Sequence, residues 1–130
     1  MDAKEIILRN FPHNNLYDDL SFLGKLNEEQ SWDIEEYWLL EWGVYKLEKN
    51  SPEKLDWEIF RIFSVIMLCI SSHLDQNDYF KIKNLKGSEL YEMRERVLLV
   101  FEGYFSSSMP EQNIFEKVNP LLALSTIKYK

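Results

Sequence analysis

Apolar residues recur with a helical period in three stretches of this chain. The first predicted helix covers residues 28–47, with Asn27 as its N-cap and acids in its first turn. At 100° per residue it carries two apolar stripes: Ile34, Trp38, Trp42 and Tyr45 on one side, and Trp32, Leu39, Leu40 and Leu47, with Gly43 beside them, on another. Such a helix lies sandwiched in a core or buries one side in a partner, and the pattern leaves open which stripe faces inward. The second predicted helix opens at Ser51-Pro52-Glu53, a cap followed by proline at the first helical position, and runs to Leu74. Between Ile62 and Ile70 it is apolar in nearly every direction, which predicts the central, most buried helix.

Asp75-Gln76-Asn77-Asp78 breaks the pattern, and Tyr79 to Leu85 alternates weakly, as a short strand or an extended loop. The third predicted helix follows Gly87-Ser88 and ends near Phe105, before Ser106-Ser107-Ser108 and Pro110. Its core stripe is Leu90, Arg94, Val97, Phe101 and Phe105, while Glu92, Glu95, Arg96 and Glu102 face outward. Residues 16–26 read as a further helix with Leu16, Leu20 and Leu23 on one side, and 111–118 as a short one. Beyond Asn119-Pro120, Ile127 and Tyr129 alternate with lysines. No repeat, low-complexity tract or linker interrupts the chain. The expected fold is mainly α: a single domain over residues 1–130, a bundle of four to six helices with a short extended or β segment near 79–85.

Composition supports a packed core. The 130 residues are 45% apolar and include nineteen aromatics, each able to bury roughly 150–250 Å². Charge is more distinctive. Between Glu28 and Glu58 lie ten acids, three lysines and all four tryptophans, so this window alone carries the formal net charge of −7. A pI near 4.9 opposes binding to nucleic acid or to an anionic membrane, both of which need clustered lysine and arginine. It suits a basic protein partner, or simply solubility.

Few residues offer chemistry. The lone Cys69 excludes an internal disulfide and a CxxC motif, and its apolar run reads as a buried, inert thiol. That run, Ile62 to Ile70 between Arg61 and His73, is too short to span a bilayer. The N-terminal residues lack a secretory layout, so a reducing cytoplasm is expected. His73, Asp75 and Asp78 are the one cluster resembling a metal or acid–base site. Helix-end and turn chemistry accounts for them better: His73 can meet terminal carbonyls, and both aspartates can bond their own backbone. His13 lies alone beside Pro12, Ser106 to Ser108 lack a nucleophile-elbow context, and no glycine-rich phosphate loop occurs. Arg94, on the core stripe, requires a carboxylate partner or a path to solvent. No catalytic residue, cofactor or bound metal is expected.

The acidic start of the first predicted helix therefore carries the functional expectation. Glu28, Glu29, Asp33 and Glu36 occupy neighbouring directions, with Glu35 to one side and Trp32, Tyr37 and Trp38 among them as possible apolar anchors. Like charges so placed repel by a few tenths of a kcal/mol per pair. On a basic partner they would steer association and set register.

Several strings extend this picture: Asp56-Trp57-Glu58-Ile59-Phe60, His73-Leu74-Asp75, Asn84-Leu85, Glu89-Leu90-Tyr91, and Phe101-Glu102-Gly103-Tyr104-Phe105 with Met109-Pro110. Across residues 56–110 the chain resembles the immunity proteins of bacterial polymorphic-toxin systems, especially contact-dependent growth inhibition. The resemblance implies a protein that binds the toxic C-terminal domain of a large effector, often a nuclease, and blocks it inside the producing cell. It transfers no contact residue. The residues expected at the partner surface are Glu28, Glu29, Trp32, Asp33, Glu35 and Glu36. A small metal-dependent enzyme built on His73, Asp75 and Asp78, and an acidic adaptor, are the alternatives.

Overall fold

The computed structural model describes residues 1–50, 52 and 54–123, excluding the side chains of 48–50. The chain begins with a helix that the sequence pattern does not single out. Asp2 accepts the Glu5 N–H at 2.8 Å, capping α1 (Ala3–Arg9), and Ile6, Ile7 and Leu8 are buried. Asn10 then bridges to the next element: its amide donates to the Ile6 carbonyl and its Oδ1 accepts the Leu23 N–H, each at 2.9 Å. Ser21 caps α2 (Phe22–Glu29) by accepting the Gly24 N–H. A Cβ on Gly24 would lie 2.6 Å from the Asp18 carbonyl oxygen, so only glycine lets the preceding loop cross here. The expected helix over 16–26 is thus displaced toward the C-terminus, leaving Leu16 and Leu20 exposed in the loop.

The expected single helix over 28–47 is two helices. Gln30 takes a left-handed conformation at φ 54° and ends α2, and α3 (Ile34–Asn50) starts four residues later. Asn27 is an interior residue of α2, and the cap of α3 is Asp33, whose Oδ1 accepts the Glu36 N–H at 3.0 Å. The break is fixed from a distance. Asn84 brackets the Trp32 backbone, accepting its N–H at 2.6 Å and donating to its carbonyl at 2.7 Å. The Lys83 N–H donates to the Gln30 carbonyl at 2.8 Å. The inward face of α3 runs through Tyr37, Leu40, Val44 and Leu47, taking Leu40 and Leu47 from the second predicted stripe, and Trp38, Leu39, Trp42 and Tyr45 are half-buried on its flanks.

The next helix, α4 (Asp56–Leu74), begins later than the Pro52 start expected from sequence; Ser51 and Glu53 lie outside the described residues. It ends at Leu74 as expected. With 19 residues it is long and apolar enough, by length and composition, to cross a membrane. In the bundle, Ile59, Ile62, Ile66, Cys69 and Ile70 form its buried face. The helix expected to be the most buried has an exposed side: within the Ile62–Ile70 run Leu68 is 66% exposed, and before it Trp57 and Phe60 are 57% and 51% exposed.

Residues 79–85 form an extended loop, with no strand among the described residues. Ile82 anchors it in the core. Then α5 (Gly87–Ser106) closes the bundle through Leu90, Val97, Val100 and Phe101. Phe105, expected on its core stripe, is 48% exposed. A 3-10 turn at Gln112–Ile114 replaces the expected helix over 111–118, and 120–123 are helical. The Ile127–Tyr129 alternation lies outside the described residues.

One core joins these elements. Helix α1 packs on α3, α2 on α4, and both α3 and α4 on α5. At its centre Phe22, Trp32 and Tyr37 form an aromatic triangle with ring centroids 4.8–5.8 Å apart. Such contacts add about 0.5–1.5 kcal/mol per pair to the gain from burial.

Candidate partner-binding surface

The structure divides the six residues expected at a partner surface. Glu28 and Glu29 end α2, Asp33 and Glu35 flank the start of α3, and Glu36 follows one residue later. Glu28, Glu29 and Glu35 are exposed. Asp33 and Glu36 are half-buried and engaged: Lys25 Nζ reaches Asp33 at 2.6 Å, and an Arg9 guanidinium nitrogen reaches Glu36 at 3.2 Å. The Lys25 hydrogen bond holds the Asp33 carboxyl below its ordinary pKa despite partial burial, and raises that of Lys25. Arg9 also holds Asp18 at 3.1 Å. Trp32, 2% exposed, belongs to the aromatic triangle rather than to the outer surface. Tyr37 is likewise buried. A helix boundary between Glu29 and Ile34 turns these side chains inward, which a continuous helix would not have done.

Beneath this junction lies a charge pair that sequence reasoning missed. Glu41 is fully buried on α3, and Arg96, expected to face outward, is 4% exposed on α5. Arg96 donates to Glu41 from Nε at 2.7 Å and from Nη2 at 2.8 Å, a bidentate pair. Tyr37, Gln112 and Asn119 also donate to the carboxylate at 3.0–3.2 Å. The guanidinium lies between the rings of Trp38 and Phe115, 4.6 and 4.3 Å from their centroids. It donates further to the Lys117 carbonyl and to Gln112 Oε1. Burial opposes the charged Arg96, but hydrogen bonding and the charge of Glu41 outweigh it and raise its pKa. Burial, reinforced by Glu41, pushes the Tyr37 phenol well above its usual value. By contrast Arg94, expected on the core stripe, is half-buried with its guanidinium 4.8 Å from the Tyr91 ring centroid.

This network fastens the 110–119 segment across α3 and α5. Tyr45 adds to it by donating to the Pro110 carbonyl at 2.7 Å. Gly103 lets the segment leave α5, since a Cβ there would lie 2.8 Å from Pro110 Cδ. Between the segment and the helices runs a groove of about 560 Å³. Its apolar walls come from Trp32, Ile34, Trp38, Leu85, Met93, Leu99, Ile114 and Phe115. Glu89, Glu92, Glu95 and Glu116 are its exposed acids, and Lys117 its exposed base. Trp32 Nε1 is buried and has no acceptor among the described residues.

A smaller cleft of about 330 Å³ separates α4 from α5, lined by Phe60, Phe63, Leu98, Phe101, Glu102 and Phe105. The polar cluster at the end of α4 is structural in its contacts. His73 Nδ1 accepts the Ile82 N–H at 2.8 Å, rather than the imidazole meeting helix-terminal carbonyls. Asp75 and Asp78 accept the Asn77 and Phe80 N–H groups, each two residues on, as their turn chemistry predicts. Among the described residues no group of three or more His, Cys, Asp or Glu is placed to hold a metal ion. The Cys69 thiol is pushed up to about 11 by burial, which keeps it protonated and unreactive.

Residues 9–103 match the sequence model of the family Immunity protein 41. The chain belongs to that family. It is therefore an immunity protein of a toxin system, as the resemblance over residues 56–110 implied. No curated protein and no solved structure matches the chain. The span matched to Immunity protein 41 starts at Arg9 and contains the whole acidic junction, α4, and α5 as far as Gly103. Residues 112–119, which complete the buried network and one wall of the groove, lie beyond it.

Proposed function

We propose that this immunity protein neutralises the toxic C-terminal domain of a cognate effector by forming a stoichiometric complex through its acidic surface, without turnover or cofactor. The effector domain is basic, a nuclease by preference, because an enzyme that handles phosphates presents cations that carboxylates can occupy or flank. The setting is contact-dependent growth inhibition, and the place of action the cytoplasm of the producing cell. The observation that carries this reading, together with family membership, is the position of Glu28 and Glu29. They occupy the last turn of α2, a turn with no basic residue, and are exposed. Carboxylates at the negative end of a helix dipole oppose stability, by about 0.3–1 kcal/mol each at an exposed site. Lys25, one turn back on α2, attracts Glu29 but is itself paired with Asp33, and a cationic partner would supply the remaining compensation. The metal-enzyme alternative loses support because His73, Asp75 and Asp78 are committed to backbone groups.

The test is a Glu28→Ser, Glu29→Ser, Glu35→Ser variant, which spares the ion-paired Asp33 and Glu36. Binding would be followed by stopped flow, at several salt concentrations, against the domain encoded at the 3′ end of the adjoining upstream gene. The variant is expected to associate about tenfold more slowly at low salt, to lose much of the salt dependence, and to melt no lower than the wild type. Unchanged kinetics in a folded variant would remove the acidic junction from the interface. Failure of the wild-type chain to bind or protect would remove that domain as its partner.

A further inference from the structure

We infer that the groove between α3, α5 and the 114–117 segment receives an amphipathic, cationic segment of the toxin domain, one that inserts an apolar side chain and sets a lysine or arginine against the glutamates of α5. This inference rests on the proposed function and names a second, more specific contact for it. Three observations converge. First, Glu89, Glu92 and Glu95 are exposed beside the groove, spaced three residues apart on one helix, where like charges repel. The adjoining cation Arg96 is taken by Glu41, and Lys117 is the one exposed base against four exposed acids of the lining, Glu116 included. Second, the wall is apolar and open to water: Ile34 is 38% and Ile114 58% exposed. A covering side chain would remove both from solvent.

Third, the groove has a fixed floor. Arg96 is clamped by Glu41, Trp38 and Phe115, so little ordering entropy is lost when the groove is filled. Trp32 Nε1, buried without an acceptor, belongs to a residue of the same wall. Ile34 of the groove wall is the chain neighbour of the exposed Glu35. A second copy of this chain is a poor occupant, since at net charge −7 it would bring carboxylates against carboxylates. A segment carrying cations next to an apolar anchor fits both the wall and its rim.

Two double variants of the full chain test the assignment against the upstream-encoded toxin domain: Glu92→Lys with Glu95→Lys, and Ile34→Ser with Ile114→Ser. A third, Phe60→Ser with Leu68→Ser on the exposed side of α4, serves as the comparison. Thermal melts establish that each is folded. The charge reversal is expected to weaken binding by about 100-fold, mostly through slower association, and the serine pair by about tenfold through faster dissociation. The α4 variant should bind as wild type does. A charge-reversed toxin segment that restores binding to the chain carrying Glu92→Lys and Glu95→Lys would locate the contact directly.

The inference is overturned if the wild-type chain binds and protects while both folded groove variants do so equally well. It is also overturned if only the α4 variant loses affinity. A wild-type dimer in sedimentation that the groove variants dissolve would give the groove to a second copy, and so overturn it too. If the wild type itself fails to bind, the proposed function has failed for that toxin domain, a result distinct from these.

Discussion

Glu41 shows how much one side chain can depend on surroundings remote in sequence. It stands among acids that face solvent, yet five hydrogen bonds from Tyr37, Arg96, Gln112 and Asn119 converge on its two oxygens. In a buried pair of this kind attraction roughly balances the cost of desolvation, but loss of one partner leaves a buried charge uncompensated. Glu41→Leu and Arg96→Met are each expected to destabilise the protein by about 3–5 kcal/mol, with the double variant losing less than the sum. Urea unfolding of the four proteins followed by circular dichroism checks this; additive losses would show that the pair is not coupled. The acid's role was not legible in the sequence. At position 41 helical periodicity offers a polar residue next to Leu40, and only the return of the 112–119 segment seals it from water. Arg96 is illegible for the same reason: it lies between Glu95 and Val97, and the segment covers it while Glu92, Glu95 and Glu102 stay exposed.

At the scale of elements, periodicity located what packing alone requires. The end of α4 stands where the Asp75–Asp78 break puts it, and α5 starts at Gly87 itself, two residues before the expected start, and ends at Ser106 beside the expected Phe105. The break between α2 and α3 was illegible, because it contains neither glycine nor proline. Left-handed Gln30 accepts the Lys83 N–H at its carbonyl and the Lys81 N–H at its side chain, and Asn84 brackets Trp32, all more than fifty residues away, where a local pattern has no access. Asp33 then takes over as cap. Asp33→Ala should cost about 1 kcal/mol through the lost cap, and Asp33→Asn, which keeps an acceptor, clearly less. Thermal unfolding separates them; equal losses would assign the effect to the Lys25 pair instead. In α4 the apolar run proved two-faced. Ile66→Ala should cost about 2–5 kcal/mol. Leu68→Ser, on the exposed side, should stay within about 0.5 kcal/mol. A comparable loss at both positions would mean that α4 is covered in solution.

Across the whole molecule, burial governs how the fold responds to base. Tyr45 and Tyr104 are each raised to about 12, burial being the largest cause, and burial raises Tyr37 in the same sense. In the unfolded chain these phenols ionise near pH 10. Above that pH the unfolded state gives up protons that the folded state retains, so stability is intact below about pH 10 and declines as the pH rises past it. Urea midpoints between pH 9 and 11.5 should fall, and Tyr45→Phe should make the fall shallower. Flat midpoints would contradict the buried setting of these rings.

By itself, the sequence determined the mainly helical class, the limits of its most regular helix, the concentration of acid between Glu28 and Glu58, and the likeness to immunity proteins. These depend on composition and on neighbours within one or two helical turns. The tertiary structure decided which acids are exposed, which tryptophans are core, and that Glu41 and Arg96 meet inside. It also formed the acid-rimmed groove. Burial is a property of what folds over a residue, and here the covering segments, 82–84 and 110–119, come from the far side of the chain.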